Sequence, residues 1–149
     1  MDSFPDMRSG YLYLQTHQDH PELVRVLASE YVPSTIANAP LTAVRYIAHF
    51  NDMEVAKMHF HSEQRRYLVD IDSALYQIDI LEGMATLEAL DLRHQRVWID
   101  PKLSALDLQR LDERVARHRR RHRRVDAIWR TVGYIAIALL AVSALSSLL

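Results

Sequence analysis

The stretch TVGYIAIALLAVSALSSLL, Thr131 to Leu149, decides how the rest of the chain is read. It holds nineteen residues and no charge. As an α-helix rising 1.5 Å per residue it measures roughly 28 Å, close to the ~30 Å hydrocarbon thickness of a bilayer. Nine of its residues are Leu, Ile or Val. At about 0.3 to 0.6 kcal/mol each near a membrane centre, they favour insertion by roughly 3 to 5 kcal/mol before Ser and Gly subtract. Trp129 and Tyr134 stand near its start, where amphipathic rings prefer the interface, and Arg130 can snorkel toward head groups. The competing reading, a buried core helix, requires a short chain to surround an uncharged helix on every side. The sequence therefore predicts a transmembrane span over 131–149.

Immediately upstream the composition reverses. Residues 1–113 hold ten basic and eighteen acidic side chains, a net of −8, whereas residues 114–149 hold eight Arg against Asp126, a net of +7. Arg114, Arg117, Arg119, Arg120, Arg121, Arg123, Arg124 and Arg130 all precede the span. The positive-inside rule then keeps the N-terminal part in the cytoplasm, facing a bacterial inner membrane or an organelle membrane. The layout is that of a single-pass tail anchor. The opening MDSFPDMRSG has no basic n-region, no apolar h-region and no Gly after Met for myristoylation, which fits that layout. The chain has no cysteine, so neither a disulfide scaffold nor a cysteine zinc module is available.

The run RHRRRHRR, Arg117 to Arg124, invites a nucleic-acid reading, because Arg neutralises phosphate. Its place beside the span favours anionic lipid head groups, at up to about 1 kcal/mol per basic residue near the surface. On a helix perpendicular to the bilayer, Arg117 stands roughly 21 Å above Thr131, beyond a Debye length of ~8 Å. The outer part of the run is thus expected either to tilt onto the membrane or to meet an acidic surface, that of this chain or of a partner. Lipid or acidic-partner contact is assigned to Arg117, Arg119, Arg120, Arg121, Arg123, Arg124 and Arg130.

Helical spacing ties the run to the span. Leu108, Leu111, Val115, His118, His122, Val125, Trp129 and Val132 advance by alternating steps of three and four, then continue through Ala136 and Leu139. This is a heptad seam, predicting one helix from an Asp100 N-cap with Pro101 in the first turn to the C-terminus. A helix that long must lay its stripe against something, so self-association or docking on a larger membrane complex through the 104–139 seam is expected. His118 and His122 read as polar members of a solvated basic face, or otherwise as metal ligands or a pH-sensitive contact.

The remainder reads as mainly α. The organisation is an N-terminal arm (1–18), a helical cytoplasmic body (19–99), a basic amphipathic stalk (100–130) and the anchor (131–149). Val24, Leu27, Ala28 and Tyr31 form a short stripe after Pro21. Asn38 can cap a helix beginning near Pro40, with Val44, Ile47 and Ala48 on one face. Met53, Phe60, Tyr67, Ile71, Ala74, Ile78, Leu81 and Ala85 suggest a long amphipathic helix that bends or ends early at Gly83. Tyr11–Gln15 alternates as a short edge strand or extended arm, and Val97–Ile99 could pair with it. The alternative is a small α+β body with strands near 11–15, 43–50, 67–72 and 96–99. Tyr46, Phe50, Met53, Met58 and Phe60 are expected as ordinary core.

No catalytic constellation stands out: there is no Cys, no Gly-x-Ser-x-Gly turn, and the three glycines are too scattered for a phosphate loop. No cofactor is implied. His49, Asp52, His59 and Glu63 share a polar stripe if 49–70 is helical and form the candidate metal set; Asp91 and His94 make a further acid-x-x-His step. The expected function is a non-catalytic, tail-anchored accessory subunit, assembly factor or tether of a larger membrane complex. The alternatives are a membrane-tethered metal or small-ligand binding domain and, behind it, a membrane-attached nucleic-acid binder.

Overall fold

Alternation, not helical periodicity, governs residues 10–29 and 42–50. The computed structural model describes residues 8–34 and 41–146. Among them the chain forms strands β1 (Gly10–His17), β2 (His20–Ser29) and β3 (Thr42–Phe50), helix α1 (Met53–Gln64), a 3-10 turn at Arg65–Tyr67, strands β4 (Leu68–Asp70) and β5 (Leu75–Gln77), helix α2 (Ile80–Ala89), strand β6 (His94–Ile99) and helix α3 (Ala105–Ser146). The strands make one antiparallel sheet ordered β4-β5-β2-β1-β3-β6. This overturns the mainly α expectation, and the α+β alternative fits.

The register explains the layering. Leu14 lies between Val26 and Tyr46, and Leu12 between Ala28 and Ala48. Side chains at every second position share a face, so Leu12, Leu14, Val24, Val26, Tyr46, Ala48 and Phe50 form one buried floor. Phe60 and Ala56 of α1, Leu81, Met84, Ala85 and Leu87 of α2, and Leu111 and Val115 of α3 close the core over it. On the opposite face Leu27, Tyr13, Ile47 and Trp98 run in cross-strand register.

Several expectations are corrected by this pattern. The stripe read as a helix after Pro21 is β2, because Val24 and Val26 point one way while Arg25 and Leu27 point the other. Tyr11–Gln15 belongs to an inner strand, paired on both sides, and Val97–Ile99 pairs with β3 at the far edge instead. Val44, Ile47 and Ala48 lie in a strand; Asn38 and Pro40 fall outside the described residues, as do residues 147–149 of the predicted span. The long helix proposed from Met53 is cut in two. Phe60, Ile78, Leu81 and Ala85 are buried as expected, but Tyr67 and Ile71 are exposed. Of the residues expected as core between 44 and 60, Met58 is also exposed.

Gly83 neither bends nor ends α2. A Cβ there would meet Leu14 Cδ1 at 3.2 Å and Ile78 Cδ1 at 3.4 Å, so its small size lets the helix settle on the sheet. Asp100 is not a helix cap: it is buried and its Oδ2 lies 2.8 Å from Arg45 Nε. Helix α3 starts later, where Ser104 Oγ accepts from Asp107 N at 3.1 Å and Asp107 Oδ2 accepts in return from Ser104 N at 3.2 Å. That reciprocal arrangement is a capping box with Asp in place of Glu.

Leu111 is fully buried whereas Leu108, one turn earlier, is 37% exposed. Leu111→Ala is therefore expected to cost about 2 to 5 kcal/mol of unfolding free energy, and Leu108→Ala well under half as much. Denaturant unfolding of the full chain in micelles measures the contrast; equal losses would contradict the packing of α3.

Candidate functional site

The polar groups gathered by this fold lie where α3 crosses α1 and α2. Leu111 and Val115 enter the core, and the next two steps along the same seam bring His118 and His122 onto the body. His118 Nε2 lies 2.7 Å from Glu82 Oε1, and its Nδ1 lies 3.8 Å from Glu63 Oε2. The other oxygen of Glu63 is 2.7 Å from His122 Nε2. One turn above, Arg114 donates to Asp79 at 2.7 Å and stands 3.7 Å from Glu82. Arg119 donates to the Glu88 carbonyl near the end of α2, at 3.1 Å. The basic helix is thus clasped by the acidic body of its own chain.

The clasp has a defined protonation preference. His118 Nε2 is hydrogen-bonded to Glu82, and the Glu63 carboxylate 3.8 Å from Nδ1 adds a second negative charge, so the site favours the imidazolium. The hydrogen bond with Glu82 raises the His118 pKa above its ordinary 6.5; burial opposes, and the charges of Glu82 and Glu63 add to the rise. The same bond lowers the Glu82 pKa below 4.5, against burial. Because His118 is raised, its contribution is complete below pH 6.5 and fades as pH climbs through its folded value. Glu82 is lowered, so its contribution is complete above pH 4.5 and fades as pH falls through its folded value. The clasp is tightest in mildly acidic solution.

A second polar group ties α2 to the sheet. Tyr46 donates to Glu88 Oε1 at 2.7 Å, and Arg96 Nε donates to the same oxygen at 2.5 Å. Burial pushes the Tyr46 hydroxyl far above its ordinary range, and the Glu88 charge adds to it. Burial alone would raise Glu88 too, but the bonds from Arg96 and Tyr46 outweigh it and leave this carboxyl below the usual value. Between α1 and α2, Gln64 Nε2 donates to Thr86 Oγ1 at 2.7 Å.

Two clefts flank the clasp, with Glu63, His122 and Asp126 in the walls of both. One, of about 620 Å³, is also lined by His59, Asp91, His94, Arg119 and Arg123. The other, of about 650 Å³, adds Arg65, Arg66, Tyr67, Glu82 and His118. Of the candidate metal set, His59 and Glu63 meet at the first cleft. The other two are placed differently: Asp52 caps α1, accepting from Val55 N at 3.0 Å, and His49 lies on β3 against the Tyr11 ring. Among the described residues no group of three or more His, Cys, Asp or Glu is arranged to hold a metal ion.

Along the seam, Leu111, Val115, His118 and His122 face the body, while Val125, Trp129 and Val132 are exposed. Arg117, Arg119, Arg120, Arg121, Arg123, Arg124 and Arg130 are exposed as well. The acidic partners Asp79 and Glu82 escaped the sequence reading, since they lie 35 and 36 positions from the α3 residues that meet them. Only the charge asymmetry hinted at them.

Glu82→Gln removes the charge but keeps the shape. It is expected to lower the His118 titration midpoint, followed by its imidazole proton shifts in NMR. The stability difference from the parent chain is expected to be larger at pH 6 than at pH 8.5. An unmoved His118 midpoint would contradict the clasp. Comparison of the chain with protein-family models, with curated proteins and with solved structures found no match in any of the three.

Proposed function

We propose that this chain is a membrane-anchored, non-catalytic docking protein, its body held close to the bilayer as an accessory subunit, assembly factor or tether of a larger membrane complex. One observation carries the reading. Helix α3 runs unbroken from Ala105 to Ser146, and among the described residues it alone is long and apolar enough to cross a membrane, with none of its most apolar eighteen-residue window buried. An uncovered stripe of this kind in water is costly, at about 25 cal/mol per Å² of apolar surface.

The geometry of the anchor sets the height of the body. His122, paired with Glu63 of the body, precedes Thr131 by nine positions, about 14 Å of helix. On this reading Arg123, Arg124 and Arg130 stand nearest the lipid, on the cytoplasmic side by the positive-inside rule. Arg117, Arg120 and Arg121 lie higher and are exposed, suited to an acidic surface on a partner. The upper seam is occupied by the chain's own body, so lateral association with a partner's span or a second copy falls to Val125, Trp129, Val132, Ala136 and Leu139. Glu63, Glu82, His118 and His122 are engaged with one another, which supports a mechanical role for these groups rather than a catalytic one.

Washing native membranes with alkaline carbonate tests the anchor. The intact chain is expected to stay in the pellet, and Leu139→Arg with Leu140→Arg to shift most of it to the supernatant. Release of the unaltered chain would overturn the reading. Purification in mild detergent then tests docking: Gln at 117, 120 and 121 is expected to weaken retention of a companion protein several-fold without releasing the chain from membranes.

A further inference from the structure

Strand β4 is one edge of the sheet and, among the described residues, pairs with β5 alone. Tyr67 closes the 3-10 turn before β4, Val69 lies within the strand and Ile71 follows it; they are 53%, 55% and 67% exposed. Leu68, between the first two, packs against the core. Natural edge strands are normally blunted by charge, and three large apolar side chains within five residues invite a partner. Arg65 and Arg66 precede them, both exposed. Asp70 is turned into the loop, where its carboxylate accepts from the Ser73 hydroxyl and from Ser73 N; Asp72 is exposed.

The edge stands beside the exit of α3. Arg65, Arg66 and Tyr67 form one wall of the 650 Å³ cleft whose other wall includes Arg121, His122, Val125 and Asp126. Val125 precedes Thr131 by six positions, about 9 Å of helix, and the head-group layer is about 5 to 8 Å deep on each side of the hydrocarbon. Val125 therefore stands just above that layer, and long side chains at its level, such as those of Arg65 and Arg66, extend down to it. We infer that Tyr67, Val69 and Ile71, flanked by Arg65 and Arg66, form a second and shallow membrane contact that takes anionic lipid head groups. The chemistry matches that zone: a tyrosine ring with one polar end, two aliphatic side chains, and guanidinium groups for lipid phosphate. A lone helix leaves the body free to turn about the helix axis. A contact to one side of it fixes the azimuth and so decides which face a neighbour meets.

This inference rests on the membrane reading of α3, and the experiment separates the two. The chain lacks cysteine, so single substitutions accept an environment-sensitive fluorophore at one position each: Ile71→Cys at the edge, Leu139→Cys within the span, and Gln109→Cys, which lies about 33 Å of helix above Thr131. Each full-length chain is placed in nanodiscs of phosphatidylcholine, with or without phosphatidylserine, brominated near the head of the acyl chain. Quenching several-fold stronger at Ile71→Cys than at Gln109→Cys is expected, increased by phosphatidylserine and returned to the phosphatidylcholine level by Arg65→Gln with Arg66→Gln. Quenching at Leu139→Cys but only the Gln109→Cys level at Ile71→Cys overturns the inference while the span stands. No quenching at Leu139→Cys overturns both. Ready disulfide formation between two Ile71→Cys copies, without lipid quenching, assigns the edge to self-pairing and overturns the lipid contact.

Discussion

The burial of Leu111 and Val115 is the interaction on which the arrangement depends, because the helix that carries them belongs to two different surroundings. Its upper third completes the core over the sheet, and its lower half is apolar and bare. No break, proline or glycine pair separates the two parts within Ala105–Ser146. A backbone hydrogen-bonded without interruption transmits orientation as well as position, so whatever fixes the lower half also fixes the sheet. Fully burying a Leu or Val side chain is worth about 1.5 to 3 kcal/mol, whereas ion pairs exposed to solvent contribute about 0 to 1. The two apolar residues therefore supply most of the grip. The charged contacts around them choose the rotational setting of α3 by penalising any other.

That choice explains the composition of the basic run. Eight positions hold six arginines and two histidines. The histidines sit four apart, on the side that faces α1 and α2, and the arginines cover the rest. An Arg in place of His118 would have to fold a long side chain between Glu63 and Glu82. An imidazole fits the same gap, its Nε2 bonded to Glu82, with little flexibility to lose. The acidic excess of residues 1–113 and the basic excess of α3 thus meet in part within the molecule. The charges left over are arginines on the outer side.

The long C-terminal helix and its apolar end were legible because the pattern persists over many residues, and a period repeated across several turns survives local exceptions. The sheet was harder to see. In β2 the run Leu23, Val24, Val26, Leu27, Ala28 satisfies steps of three and four as well as two, because both faces of the strand carry apolar residues. The same ambiguity turned Val44–Ala48 into an expected helix. Between Met53 and Ala85, two helices with a short hairpin between them happen to continue one stripe. The break is announced only by Val69-Asp70-Ile71-Asp72-Ser73, whose Asp70 and Ser73 close a turn that leaves Ala74 at a positive φ of 48°. As for the site, the pair His118 and His122 was visible on its helix, but their carboxylate partners could be found only through the fold.

The one-sided layering adds a last constraint. All three helices lie on one face of the sheet, and antiparallel sheets commonly leave the other face to water with polar side chains. Here that face carries Leu27, Tyr13, Ile47 and Trp98 side by side. Three of the four are only half-buried, and Ile47 between Tyr13 and Trp98 is fully covered. The row shields itself by large rings flanking an aliphatic centre, the arrangement by which cross-strand pairs stabilise a sheet without a second layer. The edge at β4 has no such flanking neighbour, because the sheet ends there. Apolar side chains of similar size thus reach different ends according to their place in one sheet: the central ones shelter one another, and those at the rim stay exposed.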